Sequence, residues 1–154
     1  MNLATIKLQI DARSFWTMFD ESKTPYDLLG EKEGIEKLVT TFYNLVSQDS
    51  LLSPLFPDDL TETAYKQTQF LSQFFGGPPL YTEEHGHPML RARHMPFPIT
   101  NVHAKAWIAC MEKAMTIQKI EPELQNILLS RLKMTAFHMV NTEDSERGEN
   151  ADTV

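Results

Sequence analysis

Apolar residues recur along most of this chain at the spacing of a helix face. From Glu31 to about Ser47 the set Ile35, Leu38, Val39, Phe42, Tyr43 and Val46 follows the i, i+3, i+4, i+7 pattern, which predicts an amphipathic helix. Thr24 and Pro25, just upstream, are suited to the N-cap and first position of a helical turn. A short apolar turn at Leu51, Leu52, Leu55 and Phe56 ends at Pro57, and Asp58, Asp59 and Thr61 then offer caps for a second long helix reaching Phe75. Gly76, Gly77, Pro78 and Pro79 stop it. Between Leu80 and Thr100 the residues Gly86, Pro88, Pro96 and Pro98 leave room for one or two helical turns, about Met89 to His94, within an ordered loop.

The 3.6-residue period returns at Val102 to Ile117 through Ala106, Trp107, Cys110, Met111 and Ala114. It appears again after Pro122 through Leu124, Leu128, Leu132, Thr135 and Met139. Two segments fall outside this scheme. Residues 1–24 mix an alternation at Ile6, Leu8 and Ile10 with a helix-like cluster at Phe15, Trp16, Met18 and Phe19, and they stay unassigned. Residues 142–154 have no large apolar side chain before Val154, and the acidic run there reads as a disordered tail. No βαβ alternation follows residue 24, so the expected fold is all-α with about five packed helices, the main domain spanning 25–141.

Composition narrows the function classes. With 154 residues, 42% of them hydrophobic, the chain supports one core without staples. A formal charge of −7 argues against a nucleic-acid partner, since phosphate binding draws on basic patches. Cys110 is the lone cysteine, which excludes an intramolecular disulfide and suits a reducing, cytoplasmic setting; no apolar run is long enough for a membrane span.

Candidate chemistry centres on the histidines, four of which lie between residues 85 and 103. His85 and His87 have an H-x-H spacing compatible with zinc, although structural zinc sites draw on cysteine. His94 has different neighbours: Met95, Pro96 and Phe97 after it, Arg91 and Arg93 before it. An imidazole among apolar side chains, with guanidiniums close by, fits a porphyrin iron that needs an axial nitrogen and cations for two propionates. On the second helix the stripe Thr63, Gln67, Phe70, Phe74 aligns two polar groups with two rings. Buried polar groups require partners, so something polar is expected to meet that face. Tyr43 and Trp107 raise the same question, each carrying a donor on the apolar face of its helix.

In chain order, Phe42-Tyr43, Leu55-Phe56-Pro57, Phe75-Gly76-Gly77-Pro78, Gly86-His87-Pro88, the run from Leu90 to Phe97 and Ala106-Trp107 resemble the group II truncated haemoglobins over roughly residues 26–141. The resemblance implies a 2-on-2 helical sandwich around haem b (iron protoporphyrin IX), with the proximal helix reduced to a turn or so in a long loop. It implies His94 as proximal ligand, a distal hydrogen-bonding set of Tyr43, Gln67 and Trp107, and Phe56 packed on the porphyrin face, where some relatives have Tyr. Thr63 stands at the gate position and is too short to reach the iron. Phe70 and Phe97 are expected beside the haem. Arg91 and Arg93 are the first candidates for the propionates, with Tyr81 and His87 next.

The implied function is tight dioxygen binding, because donors stabilise the negative charge that dioxygen gains from ferrous iron. Other diatomic ligands would share the site. Peroxidase or nitric oxide dioxygenase chemistry is the alternative, and it needs an external reductase because no flavin or nicotinamide module is present. A haem-free or zinc-binding helical interaction module is the remote one. The chain is expected to act as a monomer or homodimer.

Overall fold

The structure, a computed structural model, describes residues 22–144, and every one of the regular elements there is helical. The strand-like and helix-like patterns noted between Ile6 and Phe19, and the tail beyond residue 144, lie outside the described residues. α1 (Pro25–Leu28) is a single turn opened by a capping box. Thr24 Oγ1 accepts from the Asp27 amide at 3.2 Å, and an Asp27 carboxylate oxygen accepts from the Thr24 amide at 3.0 Å. α2 (Glu31–Gln48) buries the six side chains that the helical period singled out. A 3-10 turn (Ser53–Leu55) then leads to α3 (Thr61–Phe74), where an Asp59 carboxylate oxygen accepts from the Thr61 amide at 3.0 Å.

The stretch after α3 differs from the expected single short helix. It holds two, α4 (Leu80–His85) and α5 (Leu90–His94). The physical reason is long-range bonding: Gln73 grips Thr82 twice, donating to its hydroxyl at 2.8 Å and accepting from its amide at 3.0 Å. Tyr65 (2.8 Å) and Gln69 also donate to one oxygen of Glu84. These partners hold in place six residues too few to be helical on their own. Gly86, at φ +80°, makes the turn between the two short helices, and Gly76, at φ +91°, makes the turn after α3. Gly77 is constrained by space instead, since a Cβ there would lie 2.6 Å from the Tyr26 ring.

α6 (Asn101–Ile117) begins with a second capping box between Thr100 and His103, and α7 (Pro122–His138) begins at its proline. α2 packs against both α3 and α6, and α6 packs against α7, so the two long-helix pairs enclose one core. Phe42, Phe75, Met111, Met115 and Leu128 are among its fully buried side chains. Asn141 does not mark the start of a free tail. The Thr142 amide donates to the Ile99 carbonyl at 3.0 Å, and Asp144 accepts from the Val102 amide at 3.2 Å. None of the described helices is long and apolar enough to cross a membrane.

Candidate functional site

One cavity of about 360 Å³ opens among α2, α3, α5, α6 and α7, and most of the residues singled out from the sequence line it. α2 contributes Tyr43, the segment beyond it Phe56, and α3 contributes Thr63, Gln67 and Phe70. The helical period accounts for the α3 set, because positions 63, 67 and 70 are stacked turns of one face. Phe74, the fourth member of that stripe, does not reach the cavity and packs against Phe70 (5.5 Å) and Phe75 (5.5 Å). Trp107 arrives from α6, and His94 and Phe97 come from α5 and the residues after it.

Three donors on this lining are uncommitted. Tyr43 is buried, and neither its hydroxyl, the Trp107 indole N–H nor the Gln67 amide bonds any described residue. Yet no fully buried side-chain nitrogen or oxygen among the described residues lacks a partner, so these groups keep access to the cavity. Burial pushes the Tyr43 phenol well above its ordinary pKa, which keeps the hydroxyl protonated as a donor. The rings are fixed by each other: Phe42 meets Tyr43 and Trp107 edge-on, each at 5.0 Å, and Tyr43 meets Phe56 at 5.8 Å.

His94 presents the opposite chemistry, a free acceptor. Its Nδ1 lies 2.6 Å from the Leu90 carbonyl oxygen, and a carbonyl can only accept, so Nδ1 carries a proton and Nε2 is the lone-pair nitrogen of the neutral ring. An imidazole held in this way by a backbone carbonyl is oriented for metal ligation. An uncommitted imidazole nitrogen, apolar and aromatic walls and unspent donors on one cavity fit a haem.

The cations are arranged differently from the sequence expectation. Arg93 lines the cavity, with its guanidinium over the Tyr81 ring (5.6 Å to the centroid) and its Nε donating to the Pro88 carbonyl at 2.7 Å. Tyr81 lines it too. Arg91 does not: its Nη1 donates to the carbonyls of His138 (2.5 Å) and Val140 (3.1 Å). His87 is likewise off the cavity, its Nδ1 accepting from the Met89 amide at 3.1 Å. Lys66, which the sequence reading passed over, lines the cavity and pairs with Glu62 at 2.9 Å. Its signal was the spacing, three residues after Thr63 and four before Phe70. His103 is a second missed lining residue, its Nδ1 accepting from the Thr100 amide at 3.0 Å.

The H-x-H pair separates. His85 Nε2 bonds Gln69 Oε1 at 2.8 Å and its ring lies 4.8 Å from Tyr81, whereas His87 is exposed. Among the described residues no group of three or more His, Cys, Asp or Glu is placed to hold a metal ion.

A sequence model described as bacterial-like globin matches residues 24–141. The group 2 truncated hemoglobin YjbI of Bacillus subtilis is 59% identical over 122 residues, 79% of this chain and 92% of that protein. Among solved structures, the group II truncated hemoglobin from Bacillus anthracis aligns with a TM-score of 0.80 at 54% identity, covering 83% of this chain and 98% of that one. The truncated oxygen-avid haemoglobin from Bacillus subtilis aligns with a TM-score of 0.74 at 58% identity, covering 77% of this chain and 100% of that one.

Proposed function

The chain belongs to the bacterial-like globin family, among its group II truncated haemoglobins, and from that footing we propose that it binds haem b and captures dioxygen tightly. The observation that carries the proposal is the coincidence, on one cavity, of a free His94 Nε2 with three uncommitted donors. When bound, haem would supply an iron that a protein imidazole holds and that can bind a diatomic ligand. His94 offers that nitrogen. Tyr43, Trp107 and Gln67 offer hydrogen bonds to a ligand that has gained negative charge, and such bonds outweigh those to a neutral one. Phe56, Phe70 and Phe97 supply apolar contact, and Thr63 leaves side access less obstructed than a longer residue would. Lys66 and Arg93 are the cations available to carboxylates at the haem edge. The oxygen avidity named for the B. subtilis relative agrees with this donor set.

A second reading is redox turnover of nitric oxide or peroxide with an external reductase. It is favoured by two oxidisable rings, Tyr43 and Trp107, that both touch Phe42. Steady-state consumption of either substrate with a chemical reductant would separate turnover from reversible binding.

The test of haem binding is spectroscopic. The purified protein should show a Soret band, and H94A should lose stable haem unless imidazole is added. No Soret band on haem addition, or an H94A variant with a normal ferrous spectrum while H103A loses it, would overturn the assignment.

A further inference from the structure

α5 carries His94 but is only five residues long and has no buried residue, so neither helix propagation nor burial fixes its position. The segment leaving α7 does that instead. The Asn141 side chain spends both amide protons on this region, donating to the carbonyls of His94 at 3.2 Å and Phe97 at 2.8 Å. Its Oδ1 accepts from the Ile99 amide at 2.9 Å, and its own backbone N–H returns to the Ile99 carbonyl at 2.9 Å. From the other side, Arg91 ties α5 to the carbonyls that end α7. Among the described residues the His94 ring hydrogen-bonds Leu90 alone, a member of the same turn. The direction of Nε2 is therefore only as well defined as the placement of α5 as a whole.

We propose that Asn141 is a positioning residue for His94: its two donated hydrogen bonds set the direction in which the imidazole presents Nε2. The inference rests on the haem-binding reading. Asn141 touches neither the cavity nor the reacting atoms and acts through the His94 and Phe97 carbonyls.

Two substitutions separate positioning from plain stability. N141A removes all the side-chain bonds. N141D keeps the shape and the acceptor for Ile99 but sets carboxylate oxygen against two carbonyl oxygens. In the haem-loaded ferrous protein without a sixth ligand, the iron–histidine stretching band should shift and broaden in both variants, further in N141D. Amide exchange at Ile99 should quicken in N141A and stay slow in N141D. Haem transfer to an acceptor globin should speed up about ten-fold or more in N141A, as expected when the two neutral hydrogen bonds to the His94 and Phe97 carbonyls are lost along with the bond to Ile99. D144N, which loosens the contact to Val102 further along the same segment, should leave the band in place.

An unmoved band in N141A and N141D overturns the inference, even if both melt earlier, because a purely structural role would lower stability alone. N141A introduces no charge and carries the same test should N141D not accumulate. A wild-type chain that takes up no haem overturns the globin reading and this inference together, whereas a loaded wild type with unmoved variant bands overturns this inference only.

Discussion

Removing the Tyr43 hydroxyl isolates one donor with little collateral change. In Y43F the ring contacts to Phe42 (5.0 Å) and Phe56 (5.8 Å) have the same partners, and no described residue loses a hydrogen-bond partner, since the hydroxyl bonds none of them. What is lost is one bond to a charged ligand, worth about 1.5 to 3 kcal/mol. Dioxygen release should therefore speed up by roughly ten-fold to somewhat over a hundred-fold. W107F removes the indole N–H and part of a ring packed 5.0 Å from Phe42, and its effect should fall in the same range. Both donors lean on Phe42, so the double variant should fall short of the product of the singles. The Gln67 amide, uncommitted on the same cavity, can turn toward the ligand and pull single effects to the low end. Stopped-flow release after mixing the oxygenated protein with dithionite and carbon monoxide measures this directly. Release rates near wild type in both singles and in the double would refute the donor mechanism while leaving haem binding intact.

Replacing both Lys66 and Arg93 with Ala should accelerate haem loss to an acceptor globin by a factor of about five or less per residue, since both are partly exposed; an unchanged rate would move the propionate role elsewhere. Bonds from Tyr65 and then Gln69 hold the Glu84 carboxyl below its ordinary pKa. A depressed carboxyl stabilises the fold above its unfolded pKa, and that contribution disappears as pH falls through the lowered folded value. E84Q should consequently flatten the acid limb of a Tm-against-pH curve, and an identical limb would count against the α3–α4 network. G77A places a Cβ 2.6 Å from Tyr26 and 2.8 Å from the Ser72 carbonyl, so denaturant unfolding should show a loss of about 1 to 3 kcal/mol.

The long helices were legible because burial imposes a period on them: Ile35 through Val46 and Leu124 through Leu132 each mark a face that packs. α4 was not, because its helicity depends on Gln73, Gln69 and Tyr65 from another helix, and no local pattern carries that information. That His94, Tyr43 and Trp107 line one cavity agrees with the motif order of the resemblance and with donors placed on apolar faces; helical period alone does not bring them together. Lys66 was missed because a lysine on an amphipathic helix reads as solvated. Arg91 and Arg93 could not both have faced the same edge, since residues two apart point about 200° away from each other around a helix axis. Which of the two turns inward is decided by the carbonyls at and just beyond the end of α7 that accept from Arg91, 47 and 49 residues further along the chain.

A five-residue helix with no buried side chain also loses little apolar burial when it opens. The core formed by α2, α3, α6 and α7 draws no buried side chain from α5, so α5 and its neighbouring turns are expected to open as a sub-global unit. Cofactor entry and exit then draw on a local equilibrium that is separate from global unfolding. Core substitutions that lower melting temperature would leave the exchange rate untouched, while the residues around α5 govern it. Acquiring a prosthetic group after the chain has folded would thereby be kinetically distinct from folding itself.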